Sequence, residues 1–456
     1  MDIQALAAAQ RAFFRSGATL DLSFRRQALD RLEAAIRARE GEIQDALGAD
    51  LNKPPLEGYM CETGLTLAEL NYVRRHFARW ARPRCVPTPL AQFPAKSRII
   101  PQPLGAVLII SPWNYPFLLT LEPLIGAVAA GCCCLVKPSA SAPASARVLR
   151  ALIADAFSPG HVAALSGDRE ANRTLLDLPF DHIFFTGGAE TGRQVMEHAA
   201  RNLTPVTLEL GGKSPCVVDA TARLDLAAKR LVFGKLLNCG QTCVAPDYLL
   251  VDRRIQAEFL ARVEQWITRL YGRNPLDNQG YVRMINRRQF ERVRALIDPD
   301  KAAFGGRWDE DALKIQPTIL TGVSPEDPVM QEEIFGPVLP VLPFDHIQQA
   351  MDFIADRPHP LALYLFSQDR AVQRRFLREL SFGGGCVNDT ILHLASSRLP
   401  FGGMGRSGMG SYHGRRSFDT FTHEKGVLVR TSPLDLPLRY PPYTPWKERL
   451  VRRFLK

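Results

Sequence analysis

The stretch AVLIISPWNYPFLLTLEPLIGAVAAGCCCLVKPSA, residues 106–140, decides the fold class. It begins with a short apolar run, Ala106–Ile110, of the kind produced by a strand buried on both faces. Phe117–Ala130 is apolar and long enough for a helix, and Cys132–Val136 is a second short apolar run. The alternation continues downstream. HIFF (His182–Phe185), VTLEL (Val206–Leu210), PCVV (Pro215–Val218) and YLLV (Tyr248–Val251) read as further buried strands. Ala142–Phe157, Glu190–Asn202 and Asp225–Leu237 read as helices between them. Strand and helix in alternation predict an α/β fold with a largely parallel sheet.

Outward from this block the pattern changes. Leu29, Leu32, Ile36, Ile43 and Leu47 recur at near-helical spacing and predict one amphipathic surface helix. A Pro-rich stretch from Pro83 to Pro103 predicts extended or loop structure. A second Pro/Gly-rich region covers Leu399–Gly414. No internal repeat or low-complexity tract interrupts the chain.

At 456 residues the chain has room for two or three domains, and 46% hydrophobic with 23% charged residues is ordinary for a soluble globular protein. The net charge of +10 suits an anionic partner such as a phosphate-bearing cofactor, but is first of all a basic solvated surface. No nucleic-acid partner is expected. The nine cysteines include no CxxC pair and no zinc spacing, so neither a metal site nor a disulfide framework is expected. Thiols used this way fit a reducing compartment. The N-terminus lacks the apolar core and cleavage site of a signal peptide, and the run 117–130 contains Glu122 and is too short to span a bilayer. The expectation is a cytoplasmic protein.

Three glycine groups invite a nucleotide reading. Gly403, Gly405 and Gly408 match GxGxxG, but SSRLPF before them is no buried strand, so a flexible Gly-rich loop is expected. GGKS (Gly211–Ser214) would complete a P-loop only with glycine at position 207, which is Thr207. Gly187, Gly188 and Gly192 follow the strand HIFFT and open a helix, where backbone amides can approach an anion.

Two residues stand out chemically. Cys243 lies in LLNCGQTCVAP, a turn that follows a helix-like segment, but Cys239 shares the setting and spacing alone does not separate them. Glu209 sits inside the apolar run VTLELGG, as a desolvated acid/base group or a paired structural charge.

The segments ISPWNYPF, LVKPS, FFTGG, TLELGGKSP, GQTCVAPDY, EEIFGPVLPV and PFGGMGRSG occur in this order in one chain. Together they resemble the aldehyde dehydrogenase superfamily over nearly the whole length. VAPDY after the cysteine, the short N-terminus and the ending YPPY resemble its class 3 branch of fatty, aromatic and coniferyl-type aldehyde dehydrogenases.

The resemblance implies a Rossmann-like cofactor domain (1–80 and 101–210), an α/β catalytic domain (211–390), a small bridging or oligomerisation element (81–100 and 391–430) and a basic C-terminal tail (431–456). It implies a homodimer. It makes Cys243 the nucleophile, Glu209 the general base and Asn114 an oxyanion donor. Lys137 would bind the cofactor ribose, and Gly187, Gly188 and Gly192 would lie near the pyrophosphate. Glu333 would hold the nicotinamide ribose, with Phe335 and Trp113 also at the cofactor. The implied reaction is oxidation of a medium-chain aliphatic or aromatic aldehyde to the acid with NAD or NADP, through a cysteine thiohemiacetal and thioester. A coenzyme A-acylating variant is disfavoured by Glu209. A silent cofactor-binding structural protein is disfavoured by the intact set of Asn114, Glu209 and Cys243.

One departure concerns the cofactor. The family's KPSE is here KPSA, with Ala140 in place of a carboxylate that would repel a 2′-phosphate, so use of both NAD and NADP is expected. Cys132–Cys134 are expected to pack. In the tail, Trp446, Leu450, Phe454 and Leu455 share a helical face, and Lys447–Lys456 holds five basic residues and one acidic. A docking terminal helix is the first reading, and weak contact with an anionic membrane surface is the second.

Overall fold

Three larger sheets and one two-stranded pair, Trp308–Asp309 with Lys314–Ile315, organise the described residues of the computed structural model, which are 3–165, 174–430, 435 and 437–455. The side chain of Phe454 and residue Lys456, part of the predicted tail face, lie outside the described residues. In the first sheet the strands run in the order 408–409, 206–209, 182–186, 106–110, 133–137, 162–164. All neighbours are parallel except Gly408–Met409, which pairs antiparallel with Val206–Glu209, Gly408 opposite Glu209. Ala106–Ile110 and Cys133–Lys137 are buried at every position, which is why they read as unbroken apolar runs. Helix Leu118–Ala130 is buried on all sides and ends at Gly131, whose φ of 98° closes the helix in the left-handed region.

The second sheet runs 302–304, 318–320, 338–344, 248–252, 215–218, 362–366, 384–387, parallel except at its first pair. The third is antiparallel, with Arg84–Val86 and Thr422–Val429 flanking Lys96–Pro103. The Pro-rich stretch is therefore extended, and Pro101 and Pro103 fall beyond the point where Arg84–Val86 stops pairing, so on that side no ladder bond is lost.

Two expectations are corrected. The stripe Leu29–Leu47 belongs to two helices, Leu22–Ala38 and Glu40–Leu51, hinged at Arg39, and all five residues are core. The Gly-rich segment 403–408 is no flexible loop. A side chain on Gly403 would collide with the Ser407 carbonyl and one on Gly408 with the Leu208 carbonyl, so the glycines permit a tight turn that delivers a strand to the first sheet. No helix among the described residues is long and apolar enough to cross a membrane. All nine cysteines are free, and Cys132, Cys133 and Cys134 are buried.

Candidate active site

In the first sheet the strand order reverses between Ala106–Ile110 and His182–Thr186, the place where an open α/β sheet leaves a crevice beyond its strand ends. The loop after Ile110 carries Trp113 and Asn114. The turn after Thr186 carries Gly187 and Gly188 and starts helix Ala189–Arg201. Gly187 donates its amide to the Glu209 carbonyl at 3.0 Å, and a side chain there would stand 2.6 Å from the Phe185 ring. A side chain on Gly192 would stand 2.7 Å from Leu210. Gly188 is exposed with open space around it, and no side chain caps the helix start, so the first-turn amides remain for an anion. Lys137 ends the neighbouring strand, buried, with Nζ donating to the Pro138 carbonyl at 3.0 Å.

The cysteine turn is built by backbone exceptions. After helix Leu224–Leu236, residues Asn238, Cys239 and Gly240 take φ of 53°, 55° and 73°. Gln241 then locks the turn. Its Nε2 donates to the Asn238 and Arg283 carbonyls at 3.1 and 3.0 Å, and its Oε1 accepts the Ile285 amide at 3.0 Å. Asn114 joins the same lock, with Nδ2 donating to the Gln241 carbonyl at 3.0 Å and its carbonyl accepting Asn238 Nδ2 at 2.9 Å. An amide nitrogen carries two protons, so Asn114 keeps one for another acceptor. The turn separates the two cysteines that spacing left equivalent. Cys239 is fully buried with its thiol on the Tyr281 hydroxyl at 3.4 Å, whereas Cys243 lines a cleft.

The cleft has a volume of about 950 Å³, open mouth included, and both Cys243 and Glu209 line it, with Tyr115, Leu118, Phe233 and Tyr412. Burial holds the Glu209 carboxyl well above the usual carboxylate range, and neither of its oxygens has a hydrogen-bond partner among the described residues. Burial also pushes the Cys243 thiol up, and the charges of Glu333 and Glu209 push it further, while the amides of Cys243 and Val244 pull it down. Glu333 is pushed up to about 8 by burial and by Asp247, against the Gly212 amide, Arg292 and Lys213.

Glu333 and Phe335 sit on a clamped loop. Lys213 bonds Asp247 and also donates to the Val329 and Glu332 carbonyls at 2.8 and 2.9 Å, and Asp247 accepts the Ile334 amide at 2.9 Å. A side chain on Gly211 would occupy the position of the Glu333 carboxylate. Phe335, at φ 50°, meets Trp113 edge-on, with ring centroids 5.4 Å apart. Among the described residues no group of His, Cys, Asp and Glu could hold a metal ion.

Two polar pairs at the site are not legible as pairs in the sequence. Lys53 and Glu62 form a fully buried ion pair at 2.7 Å directly behind Asn114. Lys53 Nζ donates to the Asn114 carbonyl at 3.2 Å, and Glu62 accepts the Phe117 and Leu118 amides at 2.9 and 3.3 Å. In the sequence they are two ordinary charges in a polar stretch, with no signal. The second group, Glu122 and His413, lies on the cleft wall, and Glu122 alone was marked, as a charge inside an apolar run.

Comparison with known proteins adds an independent line. The model of the aldehyde dehydrogenase family matches residues 2–427. The 4,4'-diaponeurosporen-aldehyde dehydrogenase of Staphylococcus aureus is 45% identical, over 98% of this chain and 97% of its own. Aldehyde dehydrogenase family 3 member A2 of Macaca fascicularis is 43% identical, over 98% and 93%. The solved substrate-bound state of Staphylococcus aureus AldH superposes with a TM-score of 0.98 at 44% identity, covering all of both chains.

Proposed function

This chain belongs to the aldehyde dehydrogenase family, its class 3-like part, and from that membership we propose that Cys243, Glu209 and Asn114 carry the reaction. The protein oxidises an aldehyde to a carboxylic acid and uses NAD(P). The observation that carries the assignment of roles is that the Cys243 thiol and the unpartnered Glu209 carboxylate line the same cleft.

The thiolate of Cys243 adds to the aldehyde carbon and gives a thiohemiacetal. Its oxyanion accepts hydrogen bonds from the second Nδ2 N–H of Asn114 and from the Cys243 backbone amide. NAD(P)+, when bound, supplies the hydride acceptor that turns this adduct into a thioester. Glu209, its proton affinity raised by burial, then takes a proton from water, and the hydroxide attacks the thioester carbon. The acid leaves and the cysteine sulfur is released. The residues fit the cofactor. The uncapped helix start at Gly188 would receive the pyrophosphate, Lys137 and Glu333 would hold ribose hydroxyls, Trp113 and Phe335 would border the nicotinamide, and Gly187 and Gly192 keep the turn close-packed.

Cys243→Ala is expected to bind NADH, seen by fluorescence, while losing turnover by at least about 10⁴-fold. Glu209→Gln is expected to release one burst of NADH and then stall at the thioester. Full activity of Cys243→Ala would overturn the assignment.

The same proposal covers the wider organisation. Residues 1–80 and 101–210 form the cofactor domain, 211–390 the catalytic domain, 81–100 and 391–430 the bridging element and 431–456 the tail. The chain acts as a cytoplasmic homodimer on medium-chain aliphatic or aromatic aldehydes. The tail helix Pro445–Phe454 is read as a docking terminal helix, and Lys447 ties it to the preceding tail segment by donating to the Tyr440 and Pro442 carbonyls at 2.9 and 3.1 Å.

A further inference from the structure

Away from Cys243 and Glu209 the cleft lining is overwhelmingly apolar, with Leu119, Phe233, Leu237, Ile391, Leu394 and Phe401 among its walls. One charged pair interrupts it. Glu122 projects from helix Leu118–Ala130 and meets His413 with Oε2 and Nε2 3.2 Å apart, both side chains almost wholly buried and both lining the cleft. His413 takes only one carboxylate oxygen, Oε2, and the Glu122 side chain keeps 7% exposure on the cleft lining, so Oε1 is left for a further donor.

The pair is held from behind. The His413 amide donates to Ser417 Oγ at 2.9 Å, and the next amide, Gly414, donates to Glu69 Oε1 at 2.6 Å. Burial opposes a charged His413 ring, but the Glu122 charge and hydrogen bond, with the Glu69 charge behind, outweigh it and hold the ring above its ordinary pKa. Glu122 is thus a fixed acceptor on the cleft lining, where an entering substrate displaces water. A buried carboxylate stripped of water needs a donor in exchange, and an alkyl chain offers none.

We propose that Glu122, oriented by His413, is a specificity-determining residue that selects aldehydes carrying a hydroxyl group remote from the carbonyl. The inference rests on the reading that the cleft receives the aldehyde with its carbonyl at Cys243. The hydroxyl donates to Glu122 Oε1 and restores the bond lost with water. A site built to bond a substrate hydroxyl discriminates against the analogue lacking it far more steeply than an apolar wall separates chain lengths.

The test compares kcat/KM on the wild-type enzyme for 6-hydroxyhexanal against hexanal, 8-hydroxyoctanal against octanal, and 4-hydroxybenzaldehyde against benzaldehyde. The best of these ratios is expected at about ten or more. Any smaller best ratio overturns the proposal without recourse to a variant. Glu122→Leu is expected to bring that ratio to about one or below, and Glu122→Gln, which keeps an acceptor oxygen, to leave an intermediate value. An unchanged ratio in a folded Glu122→Leu enzyme overturns the role of this residue. The parent reading fails differently, by full turnover in Cys243→Ala. Ready oxidation of unsubstituted aldehydes without a hydroxyl gain sinks only the present inference.

Discussion

Glu333 lies on a loop far along the chain from Cys243, yet its charge is the first electrostatic cause, after burial, that raises the thiol pKa. Only the thiolate is a nucleophile. Removing that charge eases ionisation, so Glu333→Gln is expected to move the midpoint of Cys243 alkylation down by about one pH unit. Iodoacetamide labelling followed on the Cys243 peptide reads this directly, since Cys85 is exposed and would also react. An unmoved midpoint would show that the two groups do not communicate. Ala140 poses the other single-residue question. It is exposed just past strand Cys133–Lys137 and offers no charge to a 2′-phosphate. Saturation curves are expected to show turnover with both NAD and NADP, and Ala140→Glu to cut NADP kcat/KM about tenfold or more. No NADP turnover in the wild type would refute this. At this scale the sequence shows which chemical types are present but not their environment. Cys239 and Cys243 share one short stretch of chain, and the three left-handed residues of its turn put one in the core and the other on the cleft.

Elements position these residues through buried polar ties. The Lys53–Glu62 pair fixes the Asn114 carbonyl and the first amides of helix Leu118–Ala130, joining the N-terminal helices to the oxyanion donor. Breaking one partner of such a pair leaves an uncompensated buried charge. Lys53→Met is therefore expected to cost about 3–5 kcal/mol in denaturant unfolding and to lower kcat. Lys53→Met with Glu62→Leu is expected to regain most of the stability while kcat stays low. A single variant as stable as wild type would contradict this. Legibility of elements follows burial. The strands at 106, 133, 182, 206, 215 and 248 read as apolar runs because both faces are covered. Val338–Phe344 holds Pro340 and Pro343, and Gly384–Val387 opens with two glycines, so neither presents a strand pattern although both are paired in the second sheet. The break at Arg39 was hidden because the apolar spacing runs on across it.

Among the described residues, the third sheet leaves Thr422–Val429 with one unpaired edge, and Val427, Leu428 and Val429 are all exposed there, Leu428 at 49%. A long apolar edge is a template for another chain. If the proposed homodimer uses it, Leu428→Lys should give a monomer by light scattering, and an unchanged dimer would place the interface elsewhere. The α/β class was readable from one strand–helix–strand stretch, whereas the sheets' completion was not, because it depends on partners remote in the chain. Gly408 pairs with Glu209, and Thr422–Val429 with Lys96–Pro103. During synthesis the strand bearing Glu209 leaves the ribosome about 200 residues before its antiparallel neighbour exists. At ordinary elongation rates that is roughly 10–40 s in which the nascent first sheet has an open edge, and the base of the active site an uncovered flank. The glycine turn at 403–408 thus acts as the late closure of an early-made domain, and a nascent chain arrested before residue 408 would be a natural client for chaperones.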